Sequence, residues 1–315
     1  MADASKGRIL DRLAAGARAL AFAFLGLALA SVPTAAEQKT FATPEQAVNA
    51  LVAAARVGNT QALLAILGPG SKKLLTSGDK VADAQARRKF VAAYDDANRL
   101  DSAGDERRIL TVGGDDWPFP FPIVKHGKAW QFDASAGAEE ILDRRIGANE
   151  LDAIETCHAY VDAQREYAEK DRNNDGFIEY AQKFLSSAGK RDGLYWPAAP
   201  DEEESPIGPL MVRAQAQGYS VKPSLNGRPY HGYYYRILKG QGEAAKDGAY
   251  DYVVNGHMIG GFALVAFPAQ YGVSGVMTFI VNQDDVVYQK DLGPDTAGIA
   301  EKMMLFDPDP SWKKT

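Results

Sequence analysis

The chain has 315 residues, of which 46% are hydrophobic and 24% are charged, and its formal net charge is −6. An acidic chain without a block of basic residues argues against nucleic acids and anionic membrane surfaces as partners. Its length leaves room for one large domain or two. Cys157 is the single cysteine, so no disulfide bond can form within the chain, and the fold must rely on its hydrophobic core.

The first 36 residues have the pattern of a secretory signal peptide. Four basic residues lie within residues 6–18, an apolar run follows at 19–32, and small residues stand at Thr34-Ala35-Ala36. A signal peptidase needs such small residues, and the apolar run is shorter than the roughly 20 residues of a membrane span. We therefore predict cleavage after Ala36, export to the periplasm or beyond, and no membrane span after cleavage. The alternative is an uncleaved membrane anchor.

Residues 37–148 are predicted to form an N-terminal α+β domain with helices and an antiparallel sheet. Thr43-Pro44-Glu45 begins a helix, because a threonine cap followed by proline is a common helix start. Gly58-Asn59-Thr60 ends this helix and caps a second one, and a third helix is predicted at 82–99. Strands are predicted at 108–112, 121–124 and 129–132, the last two joined by a turn.

Two features of this domain have more than one interpretation. Residues 117–122 alternate aromatic residues with proline, which argues against a central strand because proline cannot donate to the ladder. The segment is either an aromatic edge packed on the core or the rim of a pocket. Arg144 and Arg145 follow one another in a predicted connecting helix and cannot share one face. One of them is therefore expected to point inward, toward an acidic partner or an anion.

The remaining residues, 149–315, are predicted to form a second domain in which a long helix packs on an antiparallel sheet. Asn149 is predicted to cap this helix, and Leu151 and Ile154 belong to its apolar stripe. A polar loop and a second helix from Phe177 complete a helix–loop–helix. Residues 198–217, in which four consecutive acids are followed by Pro206 and Pro209, are predicted to be a surface loop. The strands are predicted at 232–238, 250–254, 261–268, 276–282 and 286–290.

The loop that follows the long helix has the spacing of a calcium site. Oxygen-bearing side chains occupy its first, third and fifth positions, and Gly176 supplies the sharp turn. Gln182 stands at the twelfth position, where a bidentate glutamate is expected, so the predicted Ca²⁺ binding is weak. The alternative is a polar loop that only caps a helix. The predicted ligands are Asp171, Asn173, Asp175, the backbone oxygen of Phe177, and Glu179.

The sequence has no recognisable catalytic motif. It contains no H-E-x-x-H, G-x-S-x-G or phosphate-loop pattern, and Cys157 and His158 point about 100° apart as helix neighbours. His231 and His257, with nearby acids such as Asp251, are the candidates for an enzyme site assembled from distant residues. Such a site requires a carboxylate within hydrogen-bond reach of one of the rings, in a pocket.

Five phrases are long enough to compare with known families. They are DDWPFP at 115–120, RRIGANEL at 144–151, AQREYA at 163–168, GLYWP at 193–197 and YHGYYYR at 230–236. These phrases resemble the bacterial family called domain of unknown function 2950, over essentially the whole chain after the leader. The resemblance implies an exported bacterial protein and supplies no catalytic residues.

The order of a long helix followed by several strands is similar to the head domain of type IV pilin-like proteins. This resemblance implies a fold and not assembly into a pilus. True pilins carry a glycine cleavage site before a long apolar helix at the N-terminus, whereas the helix here is polar and internal.

Two classes of function fit these patterns. The first is an exported, non-catalytic binding or scaffolding protein with a pilin-like head, whose partner is an unknown envelope protein or ligand. The second is a periplasmic hydrolase-type enzyme that uses His231 or His257 with nearby carboxylates. The absence of a motif with a known mechanism favours the first class.

Overall fold

The structure is a computed structural model that describes residues 38–199, 201–220 and 227–315. The predicted signal peptide, residues 1–36, lies outside this described part of the chain. The fold is α+β with antiparallel sheets, as predicted. Within the described ranges, no helix has both the length and the apolar character needed to cross a membrane.

The first hydrophobic core is formed by helices and one sheet, and we call this part the N-terminal half. Its helices are α1 (Pro44–Arg56), α2 (Thr60–Leu67), α3 (Lys72–Leu75) and α4 (Lys80–Asp96). Its strands are β1 (Asn98–Ser102), β2 (Arg107–Val112), β3 (Trp117–Pro118), β4 (Ile123–His126) and β5 (Ala129–Phe132). The sheet order is β1-β2-β4-β5, and β3 pairs with the end of β2.

Side-chain caps fix where these helices begin. The Thr43 hydroxyl accepts a hydrogen bond from the N–H of Gln46 at the start of α1, with Pro44 in the first turn. The Asn59 side chain accepts from the N–H of Ala62 at the start of α2. Both starts were predicted, because a cap satisfies N–H groups that lack a partner within the helix.

Helix α5 (Ala138–Tyr167) is continuous over 30 residues and runs through both halves of the molecule. The prediction that a helix begins at Asn149 is therefore wrong. Asn149 is buried in the middle of α5, where its amide donates to the backbone oxygen of Ser274 at 2.8 Å. Asparagine is a common helix cap, but at this position it makes a tertiary contact instead. Leu151 is also misassigned, since it is 67% exposed.

The second hydrophobic core lies between α5 and a five-stranded antiparallel sheet, and we call this part the C-terminal half. Its main strands are β6 (Tyr233–Leu238), β11 (Ala263–Pro268), β12 (Met277–Asn282), β13 (Tyr288–Asp291) and β14 (Lys313–Lys314), in the order β14-β13-β12-β11-β6. All six residues of β11 are buried. Two short pairs lie beside this sheet, β7 (Gly240–Gln241) with β8 (Tyr250–Asp251), and β9 (Val253–Val254) with β10 (His257–Met258).

The predicted helix from Phe177 is absent, so the helix–loop–helix is wrong. The buried Gln164 side chain of α5 donates to the backbone oxygen of Ala181 and accepts from its N–H, both at 2.8 Å. The N–H of Tyr180 donates to the backbone oxygen of Met258. Because these partners already satisfy the backbone, residues 177–182 stay extended although their apolar spacing suits a helix.

Two further helices belong to the C-terminal half, α6 (Gly208–Ala216) and α7 (Thr296–Lys302). Helix α6 lies inside the stretch predicted as a surface loop. Its Leu210, Met211 and Ala214 are buried in the second core, and its proline is in the first turn, where no N–H is needed. Burial of this apolar face outweighs the loop-forming composition of the segment.

Asp79 joins the two halves. This carboxylate is 1% exposed and caps α4 by accepting from the N–H groups of Val81 and Ala82. Its other oxygen accepts from the Tyr219 hydroxyl at 2.8 Å and from the N–H of Gly232 at 3.1 Å. One buried acid therefore connects the start of a helix in the N-terminal half to the segment that precedes β6.

Candidate functional site

An apolar cleft of about 630 Å³ opens in the N-terminal half. Helices α1 to α4 form one side, and the first part of α5 and the aromatic segment at 117–121 form the other. Most of its walls are apolar, and its polar lining includes residues of both halves, among them Asp83, Arg145 and His231. The apolar walls include Leu51, Leu63, Leu67, Leu74, Phe90 and Ile141.

The aromatic segment serves both purposes that its sequence allowed. Phe121 is 3% exposed and belongs to the core, whereas Trp117 is 37% exposed and stands at the cleft. Phe119 lies between them, with its ring centroid 5.0 Å from that of Phe90 and 5.2 Å from that of Phe121. All three rings line the cleft, and Phe121 is at the same time buried in the core.

His231 lines the cleft from the C-terminal half. Its Nδ1 lies 2.7 Å from Oδ2 of Asp152, and its Nε2 lies 3.0 Å from Oε1 of Gln217. A carboxylate and an amide oxygen only accept hydrogen bonds. The ring can therefore donate from Nδ1 to the Asp152 carboxylate, while the Gln217 side-chain amide adjoins Nε2.

A tight turn holds His231 in this position. Its backbone has φ +48°, in the left-handed region that costs roughly 1–2 kcal/mol for a residue with a Cβ. The N–H of His231 donates to the Tyr219 hydroxyl, and the rings of Tyr219 and Tyr230 pack beside it. Gly232 follows with φ +74°, where a Cβ would lie 2.5 Å from Nδ2 of Asn149. Glycine is therefore required at this second position.

Arg145 is the inward-facing member of the arginine pair. It donates to the backbone oxygen of Lys73 at 2.8 Å and to that of Leu74, and burial lowers the pKa of its guanidinium. Arg144 points outward and pairs with Glu140. No carboxylate of the described residues lies within ion-pair distance of Arg145, so its inward partners are carbonyl oxygens and not the expected acid.

The predicted calcium loop is folded on itself beside the sheet. Gly176 has φ +91°, as the predicted sharp turn requires. The carboxylate of Asp171 accepts from the N–H groups of Asp175 and Gly176. The amide of Asn173 donates to Asp175 at 2.7 Å and to Glu179 at 2.8 Å. Gln182 points away and donates to the backbone oxygen of Gly256.

His257 of β10 contacts this loop, and no local pattern in the sequence indicates that contact. Its Nδ1 lies 3.1 Å from Oε2 of Glu179 and 3.6 Å from Oδ2 of Asp175. Phe177, predicted to contribute a backbone oxygen, stacks its ring on the His257 imidazole at 3.9 Å. The three groups of Asp175, Glu179 and His257 have ligand-type atoms within 4.8 Å of one another.

The remaining nucleophile and histidine candidates lie elsewhere. Cys157 is fully buried, and burial raises the pKa of its thiol, so it stays protonated. His158 pairs with Asp285 at 2.7 Å on the surface, and His126 is exposed at the end of β4. Asp251 is exposed in β8. Among the described residues, the acids that reach the two candidate histidines are Asp152, Asp175 and Glu179.

No curated protein and no solved structure matches this chain. The pilin-like comparison therefore has no support from a known structure. Residues 38–315 match the model of a family whose description is "Protein of unknown function (DUF2950)". Since this match spans most of the sequence, the chain belongs to that family.

Proposed function

We propose that this is an exported, non-catalytic binding protein that holds a small amphipathic organic molecule in the apolar cleft. The observation that carries the proposal is the cleft itself, at about 630 Å³. Ligand sites in proteins measure about 300–1,000 Å³ and combine mostly apolar walls with a few placed polar groups. The leader at residues 1–36 supports export, and the long helix on its sheet serves as the scaffold that carries the cleft.

The mixed lining of the cleft fits an amphipathic ligand. The leucine and phenylalanine side chains of α1, α2 and α4 would cover an apolar body, since burying apolar area yields about 25 cal/mol per Å². His231 and Gln217 would present polar groups to a head group. A polar group lodged there would keep its hydrogen bonds while the rest of the molecule leaves water.

A hydrolase-type enzyme is the second candidate, and the His231–Asp152 pair favours it. A carboxylate 2.7 Å from an imidazole nitrogen in a cleft is the arrangement of a general base and its orienting acid. Its other ring nitrogen, however, faces Gln217. No serine, threonine or cysteine of the described residues is hydrogen-bonded to this ring, which supports binding over nucleophilic catalysis.

Fluorescence titration with 8-anilinonaphthalene-1-sulfonate, an anionic aromatic probe, tests the binding proposal. Ala86 and Ala92 are both exposed on α4, but only Ala86 lines the cleft. Ala86→Trp should fill the cleft and weaken probe binding at least tenfold, whereas Ala92→Trp should leave it unchanged. Equal effects of the two substitutions, or no saturable binding, would overturn the proposal. Hydrolysis of p-nitrophenyl butyrate that His231→Gln abolishes would instead favour the enzyme.

A further inference from the structure

Two distant parts of the chain bring three metal-ligand groups together beside the C-terminal sheet. Asp175 and Glu179 belong to the loop after α5, and His257 belongs to β10, 78 residues after Glu179. The His257 ring is held by stacking on Phe177 and turns its Nδ1 toward both carboxylates. The arrangement therefore differs from a loop that binds an ion with its own oxygens alone.

The spacing of these atoms suits a bound ion. Nitrogen and oxygen ligands lie about 2.0–2.2 Å from a zinc-type ion, which places neighbouring ligand atoms roughly 3.0–3.6 Å apart. The distances from Nδ1 of His257 to the carboxylates of Glu179 and Asp175 are 3.1 and 3.6 Å. Two of the three separations are therefore close to the range of a bound ion, and all three ligand atoms lie within 4.8 Å of one another.

The negative charge of the loop carboxylates also favours a bound cation. Among the described residues, no lysine or arginine lies within ion-pair distance of Asp171, Asp175 or Glu179, although the Glu179 side chain is only 10% exposed. Glu203 is the contrast on the same side of the molecule, since it pairs with Lys170, Arg172 and Arg191. The Glu179 carboxylate is contacted instead by the Asn173 amide, the Met258 N–H and the His257 ring. Because a buried carboxylate is best compensated by an opposite charge, a divalent ion would add the charge that no lysine or arginine supplies here.

We propose that Asp175, Glu179 and His257 bind a divalent transition-metal ion of the Zn²⁺ class. An imidazole together with carboxylates suits such ions, whereas Ca²⁺ prefers six to eight oxygen ligands. Asn173 completes the site, because its amide already contacts both carboxylates and can present its oxygen to the ion after rotation. The calcium expected from the loop spacing is thereby replaced by a metal that His257 selects.

Calorimetric titration of the chelator-treated protein with Zn²⁺, Co²⁺ and Ca²⁺ tests this proposal. We expect one equivalent of Zn²⁺ to bind, and Co²⁺ to give the visible absorption of a site with a nitrogen ligand. His257→Gln should weaken Zn²⁺ binding at least 100-fold. The control is His158→Gln, which alters another histidine paired with a carboxylate at 2.7 Å and should leave Zn²⁺ binding unchanged.

Three results would overturn the proposal. They are Ca²⁺ binding without Zn²⁺ binding, equal loss in the two histidine variants, and Zn²⁺ binding that survives His257→Gln. Should His257→Gln fail to fold, Asp175→Asn provides the second variant, since Asp175 is exposed on the loop. It should weaken Zn²⁺ binding at least tenfold and change the Co²⁺ spectrum. An unchanged affinity and spectrum in that variant would equally reject the site.

Discussion

Helix α5 belongs to both halves of the molecule, but the space beside it is nearly filled in one half and open in the other. In the C-terminal half, the cavity lined by Thr156, Tyr160 and Leu210 measures about 30 Å³, enough for one or two water molecules. In the N-terminal half, the same helix lines a cleft of about 630 Å³. Large side chains such as Tyr160 and Tyr167 fill the closed side, whereas Ala148 lies along the open one. Along α5, large side chains therefore close the space in one half, and a cleft remains open in the other.

The largest expected effect compares a phenylalanine in each half. Phe279 is fully buried in β12, so Phe279→Ala should lower the free energy of unfolding by about 3–5 kcal/mol. Phe119 is partly exposed at the cleft, and Phe119→Ala should cost only about 1–2 kcal/mol because less packing is lost. Urea unfolding of both variants measures the difference. Equal losses would contradict the contrast between a closed core and an open cleft.

The next effect concerns the connection between the halves. Asp79→Ala removes the acceptor of the Tyr219 hydroxyl and the Gly232 N–H as well as a helix cap. Leaving buried donors without partners should cost about 2–4 kcal/mol. Asn59→Ala removes a cap alone, at the exposed start of α2, and should cost about 1 kcal/mol. The same unfolding measurement applies, and a loss no larger than that of Asn59→Ala would mean that the connection contributes little.

The smallest effect is a difference in pH dependence between the halves. Hydrogen bonding to Lys170, with Arg172 and Arg191 nearby, lowers the pKa of Glu203, so its stabilisation is present above its unfolded pKa and is lost as the pH falls. Burial raises the pKa of Asp83 in the cleft, so its contribution has the opposite sign. Its stabilisation is present at low pH and is lost as the pH rises.

Unfolding midpoints measured from pH 7 to pH 3 separate these two acids. Glu203→Gln should flatten the loss of stability toward low pH, whereas Asp83→Asn should steepen it. Each change should be on the order of 1 kcal/mol or less, because both carboxyl groups keep some contact with water. Parallel pH profiles for the two variants would contradict the assignment.

Local signals in the sequence were enough to predict much of the fold. The starts of α1 and α2 follow from Thr43 and Asn59, whose caps act within three residues. The predicted positions of most strands in the C-terminal sheet match β6, β11, β12 and β13, since an apolar run between turn residues specifies a buried strand locally. Where the information lies within a few neighbouring residues, it can be read without a structure.

The prediction errors arise where contacts with residues far along the chain determine the local structure. The sequence around Asn149 is typical of a helix cap, but its side-chain amide donates to the backbone oxygen of Ser274. The spacing in residues 177–182 is typical of a helix, but the Gln164 side chain is hydrogen-bonded to the backbone N–H and oxygen of Ala181. The candidate sites show the same limit of local patterns. The predicted calcium loop does not include His257, and a pocket is predicted only as one of two alternatives for the 117–122 segment. His231, which lines the cleft, and its partner Asp152 are 79 positions apart in the sequence.

The continuity of α5 also determines how the molecule can come apart. A 30-residue helix is about 45 Å long. Its C-terminal part is buried in the second core, and Ile141 and Leu142 near its start pack partly buried against the first. If either core unfolds, half of α5 is exposed while its other half is still packed. Unfolding of one core should therefore spread to the other through this helix. Amide protons near Asn149 should therefore exchange with solvent only when the whole protein opens. Cleavage between residues 148 and 149 would divide α5, and each fragment would lose the part of this helix that belongs to the other fragment.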